Sequence, residues 1–109
     1  MTLKQKGCTP CEKGGTPLSE TTEDELLLEI PAWNLDRSGI HRLVKRLSFS
    51  SFMEAVGFVK SVAILAEDEN HHPSLCIDYR KVTIKLTTHT YNGLSENDFI
   101  MAAKIDAMH

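Results

Sequence analysis

A single domain of mixed helices and strands, in the order α-β-β-α-β-β-α, is what this sequence predicts. Three observations carry that expectation. Thr22-x-x-Glu25, Ser51-x-x-Glu54 and Ser95-x-x-Asp98 each set a hydroxyl three residues ahead of an acid, the pattern of a helix N-terminus whose cap and first turn satisfy each other's backbone donors. Leu75, Ile77 and Tyr79, then Val82, Ile84 and Leu86, alternate with polar residues at the period of a strand. A length of 109 residues suits one domain and is too short for two.

Residues 1–17 hold glycines, prolines, lysines and two cysteines but almost no large apolar side chain. They are expected to form a flexible or loosely docked arm ahead of a domain spanning 18–109. Cys8 and Cys11 are read as exposed thiols: no second Cys-x-x-Cys completes a zinc set, and no strand-to-helix context supports a redox pair. The first helix is expected from Thr22, with Glu23, Asp24 and Glu25 in the turn where the dipole favours negative charge. Leu26, Leu27, Leu28 and Ile30 give it an apolar face, and Pro31 stops it. Trp33 opens an extended segment that turns at Asp36-Arg37-Ser38-Gly39.

Residues 40–49 fit two periods. Ile40, Leu43, Val44 and Leu47 have helical spacing; Leu43, Leu47 and Phe49 fit one strand face, with Lys45 as the misfit. The turn before this run and the new cap at Ser51 favour the second arm of a hairpin. The central helix, 51–66, carries an expected packing stripe of Phe52, Val56, Val59 and Ala63 with Met53 and Ile64 beside it. Its C-terminal acids, Glu67, Asp68 and Glu69, oppose the helix dipole by roughly 0.3–1 kcal/mol each. Two strands then meet near Tyr79-Arg80-Lys81, Gly93 marks a turn, and the last helix runs from Ser95 with Phe99, Ile100, Ala103 and Ala107 as its packing stripe. Cys76 is read as a small gap-filling hydrophobe, and His41 and His109 as surface residues.

Composition narrows the function. With 41% hydrophobic and 25% charged residues and a formal charge of −3, the chain has no basic excess, so nucleic acid is not expected as a direct ligand. No apolar run of about 18 residues suggests a membrane span, and the N-terminus lacks the apolar region of a secretory signal, which makes the cytoplasm the expected compartment. An odd number of cysteines fits a reducing environment.

Core packing gives no reason for Glu67-Asp68-Glu69-Asn70-His71-His72-Pro73. Pro73 biases His72 toward extended backbone and so fixes the direction of a ring, while His89 follows the second strand on its Thr87 and Lys85 side. A three-histidine zinc site is not expected, because adjacent residues seldom aim both rings at one ion. Acid–base chemistry suits the set: at an unperturbed pKa of about 6.5 one imidazole donates while another accepts. Nearby carboxylates would orient the rings. No nucleophile motif, phosphate loop or dinucleotide fingerprint is present.

Glu67, His71-His72-Pro73, Tyr79, His89 and Asp98 stand at the spacings of an acid, His-His-Pro, an aromatic, a histidine and an aspartate that mark the pterin-4a-carbinolamine dehydratases, and the sequence resembles that family. The likeness extends to Pro17-Leu18-Ser19, Trp33, Phe49 and Phe52, and Gly93-Leu94-Ser95-Glu96. The resemblance implies an α+β fold, a four-stranded antiparallel sheet with its helices packed on one face, assembled as homodimers or dimers of dimers. It implies a hydro-lyase that removes water from 4a-hydroxytetrahydropterin to give quinonoid dihydropterin, in the recycling of tetrahydrobiopterin-type cofactors, without metal or organic cofactor. Its catalytic histidines fall on His71, His72 and His89, with Glu67, Pro73 and Asp98 in support; the substrate-binding residues are unassigned. Asp98 also suits a plain N3 cap of the last helix. Ser74-Leu75 departs from relatives with an acid and a tryptophan there, which leaves the substrate's identity open. Animal relatives bind a transcription factor through a helix surface, so a non-catalytic dimerisation module built on Ser51–Ala66 is the alternative.

Overall fold

The two hairpins merge into one sheet in the computed structural model, which describes residues 2–10 and 15–109. A 3-10 turn at Leu3–Gln5 precedes α1 (Glu20–Leu27), β1 (Asn34–Asp36), β2 (Arg42–Ser48), α2 (Phe52–Glu69), β3 (Ser74–Asp78) and β4 (Lys81–Leu86). A second 3-10 turn, His89–Tyr91, leads into α3 (Glu96–Met108). The element order is the one expected, and all neighbouring strands are antiparallel, in the order β1-β2-β4-β3.

Register sorts the side chains by face. Leu43 pairs with Leu86, Leu47 with Val82, Leu75 with Ile84 and Ile77 with Val82, so one face is apolar and joins the core with residues of α2 and α3. Arg46, Ser48, Thr83 and Lys85 alternate onto the other face. Cys76 belongs to that second face and is exposed, so it fills no gap. Lys45, the misfit in the strand pattern of residues 40–49, lies on the core face. Its stem packs inward while the ammonium reaches Asp106 of α3 at 2.6 Å, and the same carboxylate oxygen accepts the Trp33 indole N–H at 2.9 Å.

Four expectations are corrected. Helix α1 begins one turn before Thr22: Ser19 is its cap, its hydroxyl accepting from the Thr22 N–H at 3.2 Å. The earlier start buries Glu23 completely against Arg37 at 3.0 Å and His41 at 2.9 Å, so His41 ties α1 to the β1–β2 hairpin instead of lying free on the surface. On α2 the packed face is Ala55, Phe58, Val62 and Ala66, with Val59 partly buried; Phe52, Met53 and Ile64 from the expected stripe are 48%, 73% and 57% exposed. The helix is apolar on two sides, and the sheet covers only one. Finally, the arm does bring something to the core: Leu3 is 2% exposed and its 3-10 turn packs on α3. With the sheet side also covered, Phe99, Ile100, Met101 and Ala102 are all buried, as a helix apolar all round requires. His109 is exposed, as expected, and its ring also lies edge-on to Phe49 and Phe58 at 5.3 and 5.5 Å.

Candidate active site

Helix α2 ends at Asn70, whose left-handed backbone (φ 52°) turns the chain out of the helix. The next residues, His71-His72-Pro73, link that end to β3. On the neighbouring strand the alternation of β4 continues past Leu86: Thr87 is half-buried, Thr88 is buried and His89 is exposed at the start of the second 3-10 turn. Ser74 pairs with Lys85, so the entry to β3 and the exit from β4 lie at the same end of the sheet.

Asp98 joins these segments. The carboxylate is completely buried and serves as N3 of the α3 capping box, one oxygen accepting from the Ser95 N–H at 3.0 Å and from the Thr88 hydroxyl at 2.7 Å. The other oxygen meets His71 Nε2 at 2.7 Å. The N3-cap reading of Asp98 is therefore true of one oxygen only. An ionised carboxylate can only accept, which assigns a proton to His71 Nε2 and leaves Nδ1 as the acceptor of the neutral ring. The His71 side chain is 11% exposed. His72 Nε2 meets Glu67 Oε2 at 2.5 Å, but both side chains are exposed and water screens the pair. The ring of His89 has no hydrogen-bond partner among the described residues.

All three histidines line one open cleft of about 570 Å³, within the usual range of small-molecule sites. Thr87, Thr88, Asp68 and Glu69 line it too, and no lysine or arginine does among the described residues, so the cleft has acceptors for N–H donors and no guanidinium or ammonium group in its lining. Glu67 reaches the cleft through His72, and Pro73 is not among its lining residues. Tyr79, the aromatic of the resemblance, sits at the β3–β4 turn with φ 53°, exposed and stacked by Arg80 at 5.1 Å, and does not line the cleft.

Sequence reading did not find Thr88, Asn97 or Glu69 as parts of this region. Thr88 had a signal in the strand period, which turns it inward beside His89. Glu69 was read as a solvated acid, yet it is half-buried and accepts from the Cys8 N–H at 2.8 Å. Cys8 itself, read as exposed, is half-buried. Burial, and then the negative charge of Glu69 and its hydrogen bond, push its thiol up to about 12. It is uncharged at neutral pH, and so a poor nucleophile and metal ligand. Cys11 lies outside the described residues. Among the described residues no group of three or more His, Cys, Asp and Glu side chains is arranged to hold a metal ion, and no helix is long and apolar enough to cross a membrane.

Comparison with known proteins places this geometry. Residues 16–108 match the family model described as pterin 4 alpha carbinolamine dehydratase. A protein of Halorhodospira halophila, provisionally named pterin-4-alpha-carbinolamine dehydratase, is 38% identical over 108 residues, covering 99% of this chain and 98% of its own. A Chlorobium luteolum protein with the same provisional name is 43% identical over 107 residues, covering 97% and 94%. Among solved structures, a transcriptional coactivator/pterin dehydratase from Brucella melitensis superposes with a TM-score of 0.79 at 31% identity, over 85% of this chain and 98% of that one. A pterin dehydratase-like protein described as a RuBisCO assembly factor in the alpha-carboxysome gives 0.61 at 28% identity, over 71% and 88%.

Proposed function

Since this chain belongs to the pterin 4 alpha carbinolamine dehydratase family, we propose that it is a cytoplasmic hydro-lyase that removes water from a 4a-hydroxytetrahydropterin and returns the quinonoid dihydropterin to a cofactor-recycling cycle. The observation that carries this reading is the meeting of His71, His72 and His89 on one cleft, with His71 held by the buried Asp98. One imidazolium gives its proton to the 4a-hydroxyl as the C4a–O bond breaks and the electron pair leaves with water. A neutral imidazole takes the N5 proton, and the electrons of that N–H bond form C4a=N5. No oxidation state changes, and the two rings end with their protonation exchanged. Asp98 and Glu67 act by orientation: each engages Nε2 of one ring, which leaves Nδ1 as the proton-exchanging atom. Acceptors at Asp68 and Glu69 line the cleft and suit the N–H-rich edge of a pterin.

A spectroscopic dehydration assay with freshly made 4a-hydroxytetrahydropterin tests the reading. The wild-type chain is expected to turn over, and His71→Ala and His89→Ala are each expected to lower kcat by about 10²–10⁴-fold without unfolding. Unchanged rates in both variants would remove these histidines from the reaction.

A second reading rests on the uncovered face of α2, where Phe52, Met53 and Ile64 are exposed. Relatives of this fold are described as a transcriptional coactivator and as a RuBisCO assembly factor. On that reading the chain is a non-catalytic module that associates through this face, and the wild-type protein is inert in the same assay. The face equally serves a catalytic homodimer or dimer of dimers.

A further inference from the structure

Residues 8–10 line the cleft under three backbone restraints. The Cys8 N–H donates to Glu69 Oε1 at 2.8 Å. The Thr9 N–H donates to Asn97 Oδ1 at 3.0 Å, and Asn97 Nδ2 donates back to the Thr9 carbonyl at 2.6 Å. One side-chain amide therefore holds both polar groups of one residue, as a neighbouring strand would. Asn97 is itself buried and directly precedes Asp98. Behind these bonds the arm is anchored again by Leu3 in the core, by Lys104 Nζ on the Lys4 carbonyl at 3.1 Å, and by Lys6 on Glu96 at 2.8 Å.

What these restraints hold in place matters for the site. Cys8, Thr9 and Pro10 line the same cleft as the three histidines and bring no ionised side chain to it. A neutral half-buried thiol and a proline ring are apolar surfaces of low conformational entropy, suited to lie against a flat heterocycle. We propose that Cys8-Thr9-Pro10 is a wall of the cleft that contacts the bound pterin and sets its affinity, and that Asn97 and Glu69 are positioning residues for that wall. The inference rests on the pterin reading above and extends it to a segment outside the residues that the family model matches.

The experiment separates the two. Wild-type turnover of 4a-hydroxytetrahydropterin is measured first; an inert wild-type protein overturns the pterin reading and this inference with it. Given turnover, Asn97→Ala releases Thr9 without touching a histidine. It is expected to raise KM by on the order of tenfold, about the value of one net hydrogen bond, with kcat within about twofold. Unchanged KM in a folded Asn97→Ala protein overturns the wall. If that variant does not fold, Pro10→Trp decides: Pro10 is exposed, so the substitution spares the core and narrows the cleft. A KM raised several-fold sustains the proposal, and an unchanged KM ends it.

Discussion

The two oxygens of Asp98 divide between fold and site. One closes the N-terminus of α3 with Ser95 and Thr88, and the other fixes the tautomer of His71. An amide in this position has one acceptor end only, so either the cap loses its acceptor or His71 must take the other tautomer, with its proton on Nδ1. Asp98→Asn is therefore expected to lower kcat by about 10²-fold and to cost about 1–3 kcal/mol of stability. Steady-state kinetics and urea unfolding measure the two losses, and a normal kcat would end the orienting role. The local pattern Ser95-x-x-Asp98 shows the cap alone, because His71 is 27 residues away; a supporting role for Asp98 at the site came only from the family resemblance.

At the scale of elements, order and type were legible and rotation was not. Strand periodicity placed β3 and β4, because neighbouring strands leave each side chain either covered or bare and only two faces exist. Residues 40–49 were harder: Lys45 breaks the apolar pattern because its partner Asp106 comes from α3. On α2 both sides are apolar, so composition could not say that Ala55, Phe58, Val62 and Ala66 face inward and Phe52, Met53 and Ile64 outward. The arm was misjudged for a related reason: a lone apolar residue carries no period, and Leu3 has none to carry. Leu3→Ala is expected to destabilise the protein by about 2–4 kcal/mol. A shift in the urea midpoint would record it, and a negligible shift would show that the 3-10 turn adds nothing to the core in solution.

Across the whole molecule, the strand order β1-β2-β4-β3 carries the argument. Pairing between β3 and β4 ends at Ser74–Lys85, and the segments that continue beyond it, His71-His72-Pro73 and Thr87-Thr88-His89, leave the sheet at the same end, which brings their histidines onto one cleft. The proposed assembly uses the exposed α2 face of Phe52, Met53 and Ile64. Sedimentation is expected to give a dimer or a dimer of dimers, with Ile64→Lys and Met53→Lys shifting the mass downward. A monomer at every concentration would refute that assembly. The hairpin read from the strand periods, with the family resemblance, already returned His89 toward His71 and His72, since antiparallel strands joined by a short turn bring their far ends together. Only the tertiary structure decided what surrounds them: the carboxylate that holds His71, the arm residues that line the cleft and the side of α2 left bare. Each depends on contacts between segments distant in the chain, and local periodicity does not encode which of two apolar faces, or which distant acid, the packed core selects.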